Sequence, residues 1–74
     1  MPKLSPLHYR ILIQVFKKAG FAIARQESRH IMMEKPGCDR PLVIPCYDSV
    51  GVPIISGLLR SAKMSRKEFF GLLP

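Results

Sequence analysis

The sequence predicts a small α+β domain in which helices cover one face of a three-stranded antiparallel sheet. Three observations predict it. An opening segment carries apolar residues at helical spacing, three short strand-like segments follow in a row, and two further helical segments close the chain. Its 74 residues suit one domain. A domain near this size buries only about 60% of the surface its unfolded chain exposes. One thin layer of packing is therefore expected, which leaves the second sheet face open to solvent.

Each element has its own signal. Ser5-Pro6 has the form of a helix start, with Ser as N-cap and Pro at the first helical position. Beyond Leu7, apolar residues recur at Ile11, Leu12, Val15, Phe16 and Ala19, a helical stripe. Lys17 and Lys18 suit the negative end of the helix dipole, and Gly20 is a natural stop. Phe21 to Gln26 reads as a strand, with Phe21, Ile23 and Arg25 on one face and Ala22, Ala24 and Gln26 on the other. Glu27-Ser28-Arg29 is a hairpin loop. His30 to Lys35 is a second strand, with His30, Met32 and Glu34 on one side and Ile31, Met33 and Lys35 on the other.

Pro36-Gly37-Cys38-Asp39 makes a turn, and Arg40 to Cys46 makes a third strand. Pro41 and Pro45 lack ladder donors, which predicts an edge strand or a short one. Tyr47 to Val52 is a loop. Pro53 opens a second helix through Ile54, Ile55, Leu58, Leu59 and Ala62, in which Gly57 costs about 1 kcal/mol relative to Ala. Ser65-Arg66-Lys67-Glu68 is a capping box for a short last helix that buries Phe69, Leu72 and Leu73. Phe16, Phe21, Leu58 and Phe69 are the expected core. The helical stripes need one shared surface, so they should lie on one sheet face. That is the architecture of the double-stranded-RNA-binding domain.

Composition narrows the function. Hydrophobic residues make up 47%, too many for a disordered chain. No apolar run approaches the roughly 20 residues that span a bilayer, and Met1 to Pro6 has no signal-peptide core. A cytoplasmic protein with no membrane partner is expected. Cys38 and Cys46 have neither a CxxC spacing nor a nearby His pair, which predicts free thiols. The net charge is +7, from 12 Lys and Arg against 5 Asp and Glu. Solubility alone is the bland explanation of that excess, and a polyanionic partner, RNA before others, is the sharper one.

Two histidines carry the candidate chemistry. His8 is placed in the first turn of the first helix, as a half-exposed surface residue. His30 opens a strand beside Arg25, Gln26, Ser28 and Arg29. If Ile31 and Met33 face the helices, His30 points to the open face. An imidazole there can give or take a proton, and adjacent guanidinium groups can hold a phosphate by charge-assisted hydrogen bonds. RNA cleavage needs little more. A base removes the 2′-hydroxyl proton, the oxygen attacks phosphorus, and cations stabilise the developing charge. No phosphate-binding Gly-rich loop and no His/Asp/Glu spacing for a divalent metal is present, so no metal and no other cofactor is expected.

The ordered set Lys17-Lys18-Ala19-Gly20-Phe21, Arg25-Gln26, His30, Pro45 and Ser65-Arg66-Lys67-Glu68-Phe69 resembles the HicA family, small toxins of bacterial and archaeal toxin–antitoxin pairs. The likeness spans about residues 5 to 73. It implies a fold similar to the double-stranded-RNA-binding domain, an mRNA interferase activity, and a HicB-type antitoxin partner that covers the toxin. It also implies that His30 is the catalytic residue, since the family's Gly-Ser-His motif maps onto it. Two positions depart from the pattern. Ser28-Arg29 stands where the family has Gly-Ser, which removes a residue that takes positive φ freely and adds a possible phosphate contact. Pro45-Cys46-Tyr47 stands where the family often has Pro-x-His, and a phenol donates a hydrogen bond or stacks on a base but does not act as a base at neutral pH.

The expected function is thus a metal-independent endoribonuclease toxin acting on mRNA. His30 is its general acid/base, and Arg25, Ser28, Arg29 and Tyr47 contact RNA. A catalytically silent RNA-binding module or decayed toxin on the same fold is the alternative. A protein-interaction domain for an acidic partner is a third possibility.

Overall fold

The computed structural model describes residues 3–74, so Met1 and Pro2, and with them the first part of the expected leaderless N-terminus, lie outside the described residues. The element order is α1 (Tyr9–Lys18), β1 (Ala22–Gln26), β2 (His30–Glu34), β3 (Leu42–Pro45), α2 (Val52–Ala62) and α3 (Arg66–Leu72). The three strands form one antiparallel sheet in the order β1-β2-β3. The class is α+β, as the sequence predicts. No helix among the described residues is long and apolar enough to cross a membrane.

The first helix starts three residues later than Ser5-Pro6 suggests. Leu7 and Val50 form an isolated antiparallel bridge, Leu7 N donating to Val50 O at 3.1 Å and Val50 N to Leu7 O at 2.7 Å. Two backbone hydrogen bonds hold the chain extended there, so the helix can begin only beyond it. His8, not Ser5, is the N-cap: its Nδ1 accepts from Arg10 N at 3.2 Å. The stripe then buries Leu12, Val15 and Phe16. Gly20, at φ +102°, closes the helix, and Phe21 N–H returns to Phe16 O at 2.9 Å. An L-residue at Gly20 would be strained, which is why glycine ends this helix.

Paired residues of antiparallel neighbours share a sheet face. Ile31 pairs with Ile44 and Met33 with Leu42, and all four are buried with the helical stripes in one core. His30, Met32 and Glu34 alternate to the other face, which no helix covers. The condition that places His30 on the open face is met.

β1 corrects the sequence reading. Strict alternation puts Arg25 with Ile23, but Ile23 pairs with Met33 and Arg25 with Met32, because the register shifts between them. Ala24 is the extra residue of a β-bulge. A bulge re-aims the side chains beyond it, so Arg25 joins Met32 and His30 on the open face, while Ile23 shares the face of Met33 and stays exposed at the sheet edge. Phe21, expected in this strand, lies just before it and is buried.

The remaining strand ends are shorter than expected, β2 stopping at Glu34 instead of Lys35 and β3 covering Leu42–Pro45 instead of Arg40 to Cys46. β3 is a short edge strand bracketed by prolines, as the missing donors require. α2 begins at Val52, with Pro53 in its first turn, and continues unbroken through Gly57. Ser65 Oγ accepts from Glu68 N at 3.1 Å, the hydroxyl half of the capping box. α3 fully buries Phe69, while Leu72 and Leu73 are only half-buried, and Lys18 Nζ donates to Leu72 O at 3.3 Å.

Chain direction gives the molecule two distinct ends. Tyr9 N donates to Tyr47 O at 3.2 Å, which places the start of α1 beside the end of β3. The thiol of Cys38 lies 3.5 Å from Ser61 O, which places the end of α2 against the β2–β3 turn. Both α1 and α2 therefore point their N-termini toward the end of the sheet where His30 sits, and their C-termini toward the opposite end.

Candidate nucleic-acid interface

Hairpin closure builds the His30 end. Glu27 N donates to His30 O at 2.9 Å, leaving Ser28 and Arg29 as the two-residue turn. Neither has positive φ; among the described non-glycine residues only Lys63 does. The loop therefore closes without the glycine that the sequence pattern would place there, and Ser28-Arg29 is sterically ordinary. Arg29 O accepts from Cys46 N at 2.9 Å, and His30 pairs with Pro45. These contacts lay the segment after β3 along the hairpin tip. Tyr47 N then turns back to Pro45 O at 2.8 Å, leaving the Tyr47 ring 54% exposed.

His30, Ser28, Arg29 and Tyr47 thus occupy one end of the sheet, all solvent-exposed. Arg25 reaches the same face through the bulge. Its guanidinium is not free: Arg25 Nε lies 3.0 Å from Glu27 Oε1. Both side chains are exposed, so this pair is worth at most about 1 kcal/mol and a phosphate can replace the carboxylate. Glu27 is a site neighbour the sequence reading treated only as loop. Its position follows from the bulge and the hairpin closure together.

A second group at this end gathers round His8, which the sequence offers only as a half-exposed surface residue. His8 stacks on Tyr9 at 4.7 Å, its Nε2 lies 3.5 Å from Asp48 Oδ1, and the Arg10 guanidinium sits 5.9 Å from the centre of the Tyr9 ring. Hydrogen bonding to Tyr9 holds the Arg10 guanidinium above its ordinary value. The signal in the sequence was the run His8-Tyr9-Arg10, which a helix starting at Pro6 would have spread around the first turn. As the cap and first two residues of a later helix, the run lies on the exposed rim.

The end as a whole favours anions. Two helix N-termini point to it, neither with an acidic residue in its first turn, and helix dipoles attract negative charge there. Among the described residues no three His, Cys, Asp or Glu side chains are placed to hold a metal ion. Cys38 and Cys46 flank opposite ends of β3 as free thiols. A surface cavity of about 470 Å³ lies at the other end of the sheet between Ala22, Glu34 and Pro41, and none of the expected site residues lines it.

Compared with known protein families, curated proteins and solved structures, the chain matches none.

Proposed function

We propose that the chain is a metal-independent endoribonuclease with a fold like the double-stranded-RNA-binding domain, acting as a HicA-like toxin on mRNA. The observation that carries this reading is the convergence of His30 with Arg25 on an uncovered sheet face, produced by the bulge at Ala24. The order of helix, three antiparallel strands and helix, with both long helices on one face, supports the fold. His30 transfers the proton of the attacking 2′-hydroxyl or of the leaving 5′-oxygen. Arg29 and Arg25 hold the phosphate, and Tyr47 and Ser28 hydrogen-bond or stack on the flanking nucleotide. A HicB-type antitoxin would cover this same end.

The test is direct incubation of the purified protein with single-stranded RNA in EDTA. New ends carrying 2′,3′-cyclic phosphate and 5′-hydroxyl are expected. Bound but intact RNA would favour the second reading, a silent RNA-binding module. Arg29→Ala is expected to weaken binding of all RNA sequences alike, since phosphate contacts carry no base identity. The slope of log affinity against log salt should become shallower by about 0.7, one phosphate on a single strand. An unchanged slope in fluorescence-anisotropy titrations would remove Arg29 from the interface.

A further inference from the structure

Most of the positive charge lies away from His30. The last turns of α1 and α2, the end of β2 with the β2–β3 turn, and α3 gather at the opposite end, and they carry eight of the 12 Lys and Arg residues against three of the 5 acids. Five of the seven net charges are therefore at the end remote from the imidazole.

The centre of this end is a built feature. A cavity of about 250 Å³ is lined by Cys38, Asp39, Arg40, Arg60, Ser61 and Lys63. Arg60 also borders an adjoining cavity with Arg66. The cations come from three segments: Arg40 from the β2–β3 turn, Arg60 and Lys63 from the end of α2, and Arg66 from α3. The Cys38 thiol fixes the first against the second, lying 3.5 Å from both Arg40 O and Ser61 O. Lys63 is held as the left-handed cap of α2, at φ 54° and ψ 40°. Among the described residues, none of these four cations is in an ion pair. The dipole of α2 accounts for cations at its own C-terminus, but it does not call for Arg40 and Arg66 to join Arg60 in the two cavities it borders.

We propose that this end is a second phosphate-binding surface, which grips the RNA chain some distance from the bond held at His30. The inference rests on the reading of the chain as RNA-directed and deepens it: substrates longer than a few nucleotides bind at two places. Guanidinium groups pair with phosphate oxygens in forked geometry, and three of the four cations are arginines. The spacing also suits a nucleic-acid strand. Five residue steps separate His30 from Lys35, where the β2–β3 turn begins, about 17 Å at the rise of a strand. At roughly 3.4 Å per stacked nucleotide, about five nucleotides cover that distance. A dinucleotide, with one phosphodiester, cannot touch both ends.

The test compares wild type with an R40Q/R60Q/K63N variant. All three side chains are exposed, and Asn tolerates the left-handed cap, so the fold should survive; an unchanged melting temperature checks it, and R60Q alone serves as the milder variant. Cleavage of a dinucleoside monophosphate should be unchanged. Affinity for a 20-nucleotide RNA should fall by about tenfold or more, with a salt slope shallower by about 2 for three lost contacts. Equal loss on both RNAs, or loss on neither, overturns the second surface while leaving the function at His30 standing. Wild-type protein that binds neither RNA overturns both readings. If the variant loses only binding to polyglutamate, this surface serves an acidic protein, and its assignment to RNA is overturned while that of the His30 end stands.

Discussion

His30→Ala is expected to lower RNA cleavage by about 10²–10⁴-fold, the usual contribution of one general acid/base group. It should leave the fold and the RNA affinity close to wild type. The side chain lies on the uncovered face and is solvent-exposed, so its removal opens no cavity. The hairpin is closed by its backbone carbonyl, which alanine supplies equally, and the Arg29–Cys46 contact is also backbone to backbone. Truncation should therefore separate chemistry from binding. Product formation from a single-stranded oligonucleotide, measured beside circular dichroism and anisotropy, gives the answer. Induced expression gives a second readout: wild type should arrest growth and the variant should not. A folded variant that cleaves as fast as wild type would end the assignment of His30. In that event His8, held between Tyr9 and Asp48 at the same end, becomes the imidazole to replace next.

Local signals suffice where neighbours in the chain decide the structure. The stripe of α1, the alternation of β2 and the Ser65 cap are all of this kind. The readings that failed depend on partners distant in sequence. Ser5-Pro6 is a sound helix start by itself, but Leu7 pairs with Val50, more than forty residues away, and two backbone bonds outweigh a side-chain cap. The bulge in β1 has no mark in Ala22–Gln26, which contains neither Gly nor Pro. It shows only in the pairing with β2, where Ile23 meets Met33 but Arg25 meets Met32.

The candidate site divides in the same way. His30, Arg29, Ser28 and Tyr47 were legible because a hairpin loop and a strand end put them on the rim. The place of Arg25 was legible only as a neighbour in sequence, since strict alternation would have turned it toward the helices. Glu27, its ion-pair partner, was not visible as part of the site at all. Nor was the distribution of charge, because a net value of +7 carries no address. The two ends become distinct only once both long helices are seen to run the same way.

Phe16→Ala is the substitution expected to cost the most stability. Phe16 is fully buried, and its ring meets that of Phe21 edge-on, with centroids 5.7 Å apart and planes at 78°. Truncating a buried phenylalanine costs about 3–5 kcal/mol, and the edge-on pair contributes part of that loss. A domain of this length has a total stability on the order of 4–11 kcal/mol, so the variant should be near the limit of folding. At about 4–8 °C per kcal/mol for domains of this size, the melting temperature should drop by at least about 12 °C. The drop should be shared by function, because Phe21 follows Gly20 directly and leads into β1, and a loosened Phe16–Phe21 contact frees the strand that carries Arg25. Tyr47→Ala is the control. Its ring is 54% exposed, so its loss should change stability by no more than about 0.5 kcal/mol. Thermal melts of the two variants beside wild type decide the matter. Near-equal melting temperatures for Phe16→Ala and wild type would mean that the α1 stripe does not form the core, and the helix-covered face of the sheet would then have to be reassigned.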